Sequence, residues 1–297
     1  MNRLILALSC ATLIAASRAM GETGVNHPPG FVSPKPTAII PLWPGTPPNW
    51  VPGGRPESLV NERFRDVSMP QLWVYLPPTE KANGTGLIIC AGGGYNALAM
   101  CLHVENVVKM FNDKGFAVFG LKYRTHYGTN NVVADALADG KRAVRLVRSR
   151  AQDWHIDPHR LGVQGYSAGA NLCLNLTGQF DNGDPSGMDE VQRFSSRPDF
   201  CVLMCPWPNK LAIDDFPLSR RAAPTWIASA RDDKTAPFSF AAAIDQKLKR
   251  LGVEEELFAV DTGDHAAFHY GVASGPGAGW PEPLIRWLDK LAMTSKH

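Results

Sequence analysis

Residues 160–174 read RLGVQGYSAGANLCL and contain the pattern that decides the fold. The first part is a short apolar run typical of a buried strand, and the last part is an apolar run typical of a helix. Between them, GYSAG places a serine between two glycines. A strand, a Gly-x-Ser-x-Gly turn and a helix form the pattern of a nucleophile elbow, in which glycines allow backbones to pass closely. We therefore predict that Ser167 is a nucleophile at the carboxyl end of a strand.

Short apolar runs alternate with helical patterns along most of the chain. Several of the runs are apolar at every position, which is typical of parallel strands covered on both faces. The predicted strands are 72–76, 87–91, 117–121, 161–165, 200–205, 225–228 and 256–260. The predicted helices are 104–114, 133–154, 168–179, 240–251 and one that begins at Pro281. This order predicts an α/β fold with a mostly parallel central sheet of about eight strands and helices on both faces.

The charge balance argues against a nucleic-acid partner. The chain has 297 residues and a formal net charge of +2, which is too small for the basic footprint of a nucleic-acid binder. The helix at 133–154 does carry a charged face, formed by Asp139, Lys141, Arg142, Arg145 and Arg148. We expect that face to be a solvated helix surface.

Residues 1–19 have the pattern of a secretory signal. Arg3 is followed by an apolar run over 4–16 and by small residues at the expected cleavage positions. The run is too short for a stable membrane anchor, so we expect a secreted or periplasmic protein. Residues 20–70 are rich in Pro and Gly and predict an extended lead-in packed on the domain. Residues 71–297 then form the catalytic domain.

Five cysteines follow the predicted signal, an odd number for an oxidising compartment. At least one of them must be free or paired between chains. Cys90, Cys201 and Cys205 lie in apolar runs, so we interpret them as small buried hydrophobic residues.

A glycine-rich turn follows the predicted strand 87–91. Three glycines at 92–94 would allow backbone N–H groups to turn into a cavity and bind an oxyanion. We predict Gly93 and Gly94 as donors, with the amide of Ala168 as the other donor. A flexible loop and a phosphate cradle are the alternatives, and the second lacks the Lys-Ser/Thr ending of a P-loop.

A serine nucleophile needs a base, and His265 is the best candidate. It lies in a loop of small residues directly after the strand 256–260, which would bring it to the same sheet edge as Ser167. His269 lies four residues later, a spacing also seen in metal sites, but no glutamate or third ligand accompanies the pair. We therefore predict no metal. His297 is at the chain end and is not a candidate.

The orienting acid should lie between serine and histidine in the chain. Asp232 and Asp233 follow the strand 225–228, where a carboxylate could hold the imidazole. One of the two could instead form a turn that caps the next helix, and the pattern alone does not choose between them.

Four further residues adjoin strand ends near the predicted site. Tyr95, Asn96, Tyr166 and Trp207 are candidates for lining a substrate pocket. Packing in the core is an equally good interpretation of each.

These motifs together resemble the α/β-hydrolase superfamily, and within it the secreted bacterial carbohydrate esterases of the acetylxylan and xylanase-associated group. The resemblance covers roughly residues 39–291. It rests on IPLWPG at 40–45, GGGY at 92–95, LKYR at 121–124, IDPHRLGV at 156–163, the serine turn, and GDH at 263–265. A more distant likeness is to the prolyl oligopeptidase catalytic domain.

The resemblance implies an α/β-hydrolase fold with Ser167 as nucleophile, His265 as base and Asp233 as acid. Asp233 stands four residues before Pro237, as in the pattern Asp-x-x-Val-Pro, although Ala236 replaces the valine and keeps Asp232 open. Two further departures are Ala91, where many relatives have His, and Ala266, where many have Gly.

The implied activity is hydrolysis of short acyl esters, chiefly acetyl esters of a plant polysaccharide or oligosaccharide, without a cofactor. Its rivals are a broad-specificity carboxylesterase or lipase, a prolyl-type peptidase, and a hydrolase-like binding protein without catalysis. No pattern in the sequence indicates the oligomeric state.

Overall fold

The computed structural model describes residues 27–28, 30–126 and 129–295. The predicted signal at 1–19 and His297 lie outside the described residues. Among the described residues, no helix has the length and apolar character needed to cross a membrane.

The main sheet has eight strands among the described residues, and these are β1 (Ala38–Pro41), β4 (Gln71–Tyr75), β5 (Gly86–Cys90), β7 (Ala117–Lys122), β8 (Leu161–Tyr166), β9 (Phe200–Met204), β10 (Thr225–Ala230) and β11 (Glu255–Val260). Their order in the sheet is β1-β4-β7-β5-β8-β9-β10-β11. Strand β1 pairs antiparallel with β4, and β4 pairs antiparallel with β7, whereas the remaining neighbours are parallel. The prediction of a mostly parallel sheet of about eight strands is confirmed.

Within residues 27–28, 30–126 and 129–295, five α-helices accompany the sheet. They are α1 (Asn106–Asp113), α2 (Val132–Ser149), α3 (Ala168–Gln179), α4 (Phe238–Leu251) and α5 (Pro281–Lys290). A π-helical turn, Cys101–Glu105, precedes α1. The central strands β5, β7, β8, β9 and β10 are buried at every position, because helices cover both faces of a parallel sheet.

A second, three-stranded antiparallel sheet was not predicted from the sequence. It consists of β2 (Ser58–Val60), β3 (Arg63–Arg65) and β6 (Ala97–Leu98). Strand β6 follows the glycine-rich turn, so this small sheet attaches part of the N-terminal segment beside that turn.

The charged face of α2 is not solvated, so that prediction is wrong. Asp139, Arg142 and Arg148 are all buried. Arg142 donates to Asp189 at 2.5 Å and Arg148 donates to Asp199 at 2.9 Å. The chain after α3 therefore covers this face with carboxylates that pair with its arginines.

The five cysteines after residue 19 are all buried, and none of them forms a disulfide with another cysteine among the described residues. Their interpretation as small buried hydrophobic residues agrees with this placement.

Candidate active site

The candidate site lies at the carboxyl edge of the parallel strands. The chain leaves β5 into the glycine-rich turn, β8 into Ser167, β10 into Asp233 and β11 into the loop that carries His265. Because parallel strands end at the same edge, four distant segments converge there.

Ser167 occupies a strained turn between β8 and α3. Its backbone has φ 55° and ψ −116°, a conformation that costs free energy for a residue with a Cβ atom. The turn needs glycine on both sides. A Cβ at Gly165 would lie 2.1 Å from the carbonyl oxygen of Gly169, and one at Gly169 would lie 2.0 Å from that of Cys90. These close approaches explain why the GYSAG pattern has glycine at positions 165 and 169, as a nucleophile elbow requires.

His265 and Asp233 form a short hydrogen bond. The distance from His265 Nδ1 to Asp233 Oδ2 is 2.7 Å, and the aspartate side chain is wholly buried. Burial alone would raise the pKa of Asp233, but hydrogen bonds from His265 and from the amides of Ala236 and Thr235 outweigh it and lower the pKa. An ionised carboxylate only accepts, so Nδ1 carries the proton and Nε2 presents a lone pair.

The neighbouring Asp232 has a different role. Its two carboxylate oxygens accept the backbone amides of Gly263 and Asp264, at 3.1 and 2.8 Å. Asp232 therefore holds the loop that carries His265 and does not contact the imidazole. The structure brings Asp233, and not Asp232, to the histidine.

Ser167 and His265 face one cavity of about 310 Å³. The Ser167 hydroxyl makes no hydrogen bond to another described side chain. Bonds of this kind are often long in the absence of substrate, so the shared cavity is the relevant observation.

Gly93 and Gly94 also line this cavity. Both have positive φ values, 145° and 62°, and a Cβ at Gly93 would lie 2.0 Å from the carbonyl oxygen of Ala97. Ala168 is the first residue of α3, so its amide has no partner within the helix. The glycine-rich turn and the helix terminus therefore offer backbone donors on either side of Ser167.

His103 holds the glycine-rich turn through a hydrogen bond. The amide of Gly92 donates to His103 Nδ1 at 3.0 Å, which places the ring proton on Nε2. That Nε2 lies 3.3 Å from His269 Nε2, so His103 donates to His269. The His103 ring also stacks on Tyr166 at a centroid distance of 4.2 Å.

Burial keeps both of these histidines neutral. It lowers the pKa of His103 well below its usual value, and the nearby His269 imidazole, the Arg63 guanidinium and the His265 imidazole disfavour a second positive charge there. It also lowers the pKa of His269 to about 4, helped by the charges of His265 and Arg63. Neutral rings preserve the acceptor at His103 Nδ1 on which the Gly92 contact depends.

The four predicted pocket residues divide into two pairs. Tyr166 and Trp207 line the cavity, and the Tyr166 hydroxyl donates to the carbonyl of His265 at 2.5 Å. Tyr95 is instead buried in the core and donates to Asn171 at 2.9 Å. Asn96 is exposed, and its side-chain amide donates to the carbonyl of Gly94.

Several cavity residues carried no signal in the sequence. Arg63, Leu102, His103 and Thr235 line the cavity but were not predicted to do so. Arg63 and His103 lie far from the serine in sequence, in the small sheet and in the π-helical turn, and reach the cavity only through tertiary packing.

One group of side chains in the described residues has the spacing of metal ligands. Ligand atoms of Cys205, Asp233 and His265 lie within 4.8 Å of one another. The aspartate and histidine atoms are already hydrogen-bonded to each other, and burial raises the pKa of the Cys205 thiol, which disfavours the thiolate that a metal needs. His269 faces His103 instead, so the two histidines of the 265–269 loop do not form a pair of ligands.

Comparisons with known proteins identify relatives in sequence. Residues 72–202 match the BD-FAE family. The chain is 24% identical over 234 residues to an acetylxylan esterase of Xylanibacter ruminicola, covering 69% of this chain and 45% of that protein. It is 32% identical over 140 residues to an endo-1,4-beta-xylanase B of Butyrivibrio fibrisolvens, covering 46% of this chain and 21% of that protein. The chain thus spans less than half the length of these relatives.

Solved structures share the fold. An acetyl ester-xyloside bifunctional hydrolase from Caldicellulosiruptor lactoaceticus superposes with a TM-score of 0.71 at 27% identity, covering 89% of this chain and 99% of that one. A thermophilic esterase from Thermogutta terrifontis gives 0.63 at 20% identity, covering 82% and 95%. A carboxylesterase from Lactobacillus plantarum gives 0.65 at 15% identity, covering 82% and 99%. The last two likenesses concern the fold alone.

Proposed function

We propose that this chain, which has the fold of an α/β-hydrolase and is similar in sequence to an acetylxylan esterase, is a serine esterase that acts through an acyl-enzyme. Its substrates are short acyl esters, chiefly acetyl esters of a plant polysaccharide or oligosaccharide. We propose further that it is secreted or periplasmic, on the pattern of residues 1–19.

One observation carries the proposal. His265 is held by Asp233 at 2.7 Å with its Nε2 left as a base, and it faces the same cavity as Ser167. A serine hydroxyl is a weak nucleophile until a neighbouring base removes its proton. The three residues occur in the order Ser, Asp, His that is typical of α/β-hydrolases.

The first half of the reaction forms the acyl-enzyme. His265 Nε2 takes the proton of Ser167 Oγ as that oxygen attacks the acyl carbonyl. The N–H groups of Gly93 or Gly94 and of Ala168 stabilise the oxyanion. The intermediate then expels the alcohol, which takes the proton from His265. Asp233 stabilises the imidazolium in the interval.

The second half releases the acid. His265 takes a proton from water, the resulting hydroxide attacks the acyl carbon, and a second oxyanion forms in the same place. Collapse of this intermediate returns the proton to Ser167 Oγ and frees the carboxylic acid. Every proton transfer uses His265, so no further group is needed to balance the reaction.

Cavity size and relatives support the short acyl group. A cavity of about 310 Å³ is at the lower end of the range typical of small-molecule sites. The sequence relative from Xylanibacter ruminicola is an acetylxylan esterase, and the similar solved structure is an acetyl ester-xyloside hydrolase. A broad-specificity carboxylesterase or lipase is the alternative that a series of acyl chain lengths distinguishes.

The test measures acetate release from acetylated xylan together with kcat/KM for 4-nitrophenyl esters from acetyl to octanoyl. We expect acetate release and a kcat/KM that falls by about tenfold or more along the series, which corresponds to about 1.4 kcal/mol or more of lost transition-state stabilisation. Ser167→Ala is the control for background hydrolysis. A kcat/KM that rises with chain length would replace the acetyl esterase by a lipase, and equal rates in the two proteins would overturn the serine mechanism.

A further inference from the structure

The cavity wall contains an arginine that the proposed mechanism does not use. Arg63 lies on β3 of the small sheet and lines the cavity together with Ser167 and His265. Strand β3 pairs with β6, with Phe64 opposite Leu98. Arg63 and the proposed oxyanion donors Gly93 and Gly94 line the same cavity.

The charge of Arg63 has no partner within the described part of the chain. Several other arginines that line buried parts of the fold pair with carboxylates, as Arg124 does with Asp139 and Arg148 with Asp199. No Asp or Glu among the described residues lines the cavity. Asp233 does not line the cavity. Its side chain is wholly buried and is hydrogen-bonded to the His265 ring.

The neighbouring titratable groups leave this charge uncompensated. His103 and His269 face the same cavity and are neutral at pH 7, because burial and the nearby charge of Arg63 lower the pKa of both. The cavity therefore contains the permanent positive charge of Arg63 and the neutral rings of His103 and His269, beside the proposed base His265. Such a site favours an anion over a neutral group of the same shape.

We propose that Arg63 is a specificity-determining residue that binds a carboxylate on the ester substrate, so that the preferred substrate class is a monoanionic ester. The inference rests on the proposed function and narrows its substrate. A guanidinium presents parallel N–H donors that match the two oxygens of a carboxylate. One arginine without a second cation suits a single negative charge. The carboxylate belongs either to the alcohol half, as in an acylated sugar acid, or to the acyl half.

Two pairs of substrates distinguish these sources. For the alcohol half, 4-acetoxybenzoate is compared with its methyl ester, which has the same acetyl group and no charge. For the acyl half, monoethyl succinate is compared with ethyl butyrate. Within each pair, the ratio of kcat/KM for the charged ester to that for the neutral ester reports recognition of the carboxylate.

The ratio is measured in the wild type and in Arg63→Gln, Arg63→Lys and Arg65→Gln. We expect Arg63→Gln to lower the ratio of charged to neutral ester about tenfold or more in one of the two pairs. Arg63→Lys keeps the positive charge and should lower that ratio less. Arg65 is exposed on the same strand and outside the cavity, so Arg65→Gln loses the same charge and should leave the ratio unchanged. A role limited to the fold would lower both rates of a pair equally.

Binding separates this inference from the proposed function. Dissociation constants of the four esters are measured by calorimetry in Ser167→Ala and in the double variant Ser167→Ala/Arg63→Gln. Tighter binding of a charged ester that is lost with Arg63 supports the inference whether or not the wild type hydrolyses any ester. Equal affinities for charged and neutral esters in both proteins, or a ratio unaffected by Arg63→Gln in both pairs, would overturn it.

Discussion

The backbone amide of Gly92 donates to Nδ1 of His103 at 3.0 Å. This bond joins the start of the glycine-rich turn to the π-helical turn before α1. Its geometry depends on a neutral imidazole, since a protonated ring has no acceptor. His103 therefore positions the turn that carries Gly93 and Gly94, and we assign it no contact with the reacting atoms.

Replacing His103 should loosen the proposed oxyanion site. His103→Phe keeps a ring to stack on Tyr166 but removes the acceptor for Gly92. Loss of one oxyanion donor typically costs a hundredfold to a thousandfold in kcat, and displacement of the turn should cost about tenfold to a hundredfold. Steady-state kinetics should show the loss mainly in kcat, with His159→Phe, at an exposed histidine, as the matched control. An unchanged kcat would show that His103 does not position the glycine-rich turn for catalysis.

The two adjacent aspartates should differ sharply. Asp233→Asn replaces the acceptor of His265 Nδ1 and favours the wrong tautomer, so kcat should fall by about 10⁴-fold. Asp232→Asn keeps one carbonyl oxygen for the amides of Gly263 and Asp264 and should lower kcat less than tenfold. Both variants are measured with the same acetyl ester at the same pH. If the larger loss occurred in Asp232→Asn, the assignment of the acid would be wrong.

Stability should fall as the pH is lowered below about 6.5. The pKa of His269 is about 4 in the folded chain and near 6.5 in an unfolded chain. Between these values the unfolded chain binds a proton that the folded chain does not, so the free energy of unfolding decreases as the pH falls from about 6.5 to about 4. The contribution of neutral His269 to stability is fully present above this window.

His269→Gln removes this titration and keeps an acceptor for His103 Nε2. Denaturant unfolding at pH 7 and pH 4.5 should give a smaller pH-dependent loss in the variant than in the wild type, by about 2 kcal/mol. Carboxylates that titrate in both proteins cancel in this comparison. Identical pH dependence in the two proteins would show that His269 is not held neutral by the fold.

Gly169 should tolerate no side chain. A Cβ there would lie 2.0 Å from the carbonyl oxygen of Cys90, so Gly169→Ala must push α3 away from β5. We expect a loss of at least about 3 kcal/mol in the free energy of unfolding, or an insoluble protein. Gly279→Ala is the control, because open space surrounds that position, and it should change stability by less than about 0.5 kcal/mol. Similar unfolding curves for both variants would contradict the close approach.

The parallel sheet was predictable because its strands are buried on both faces and read as uninterrupted apolar runs. The position of Ser167 was also predictable, since the glycines at 165 and 169, where a Cβ would clash, lie between an apolar strand pattern and an apolar helix pattern. The small sheet was not predictable, because β2, β3 and β6 have three residues or fewer, which is too short to establish a period-2 pattern.

Other parts of the site depend on tertiary contacts that local patterns do not report. Arg63 and His103 reach the cavity from segments without any local motif. The choice between Asp232 and Asp233 depends on which of two adjacent side chains turns towards the imidazole. The charged face of α2 looked solvated because helical periodicity cannot show that a later segment covers it.

Covalent labelling shows directly whether Ser167 is the nucleophile. The purified protein is treated with diethyl 4-nitrophenyl phosphate, release of 4-nitrophenol is titrated, and the modified residue is located by peptide mass spectrometry. We expect about one equivalent of 4-nitrophenol per chain, a diethylphosphoryl group on Ser167, and loss of esterase activity in parallel with labelling. Full esterase activity in a protein that remains unlabelled at Ser167, or activity retained by Ser167→Ala, would contradict it.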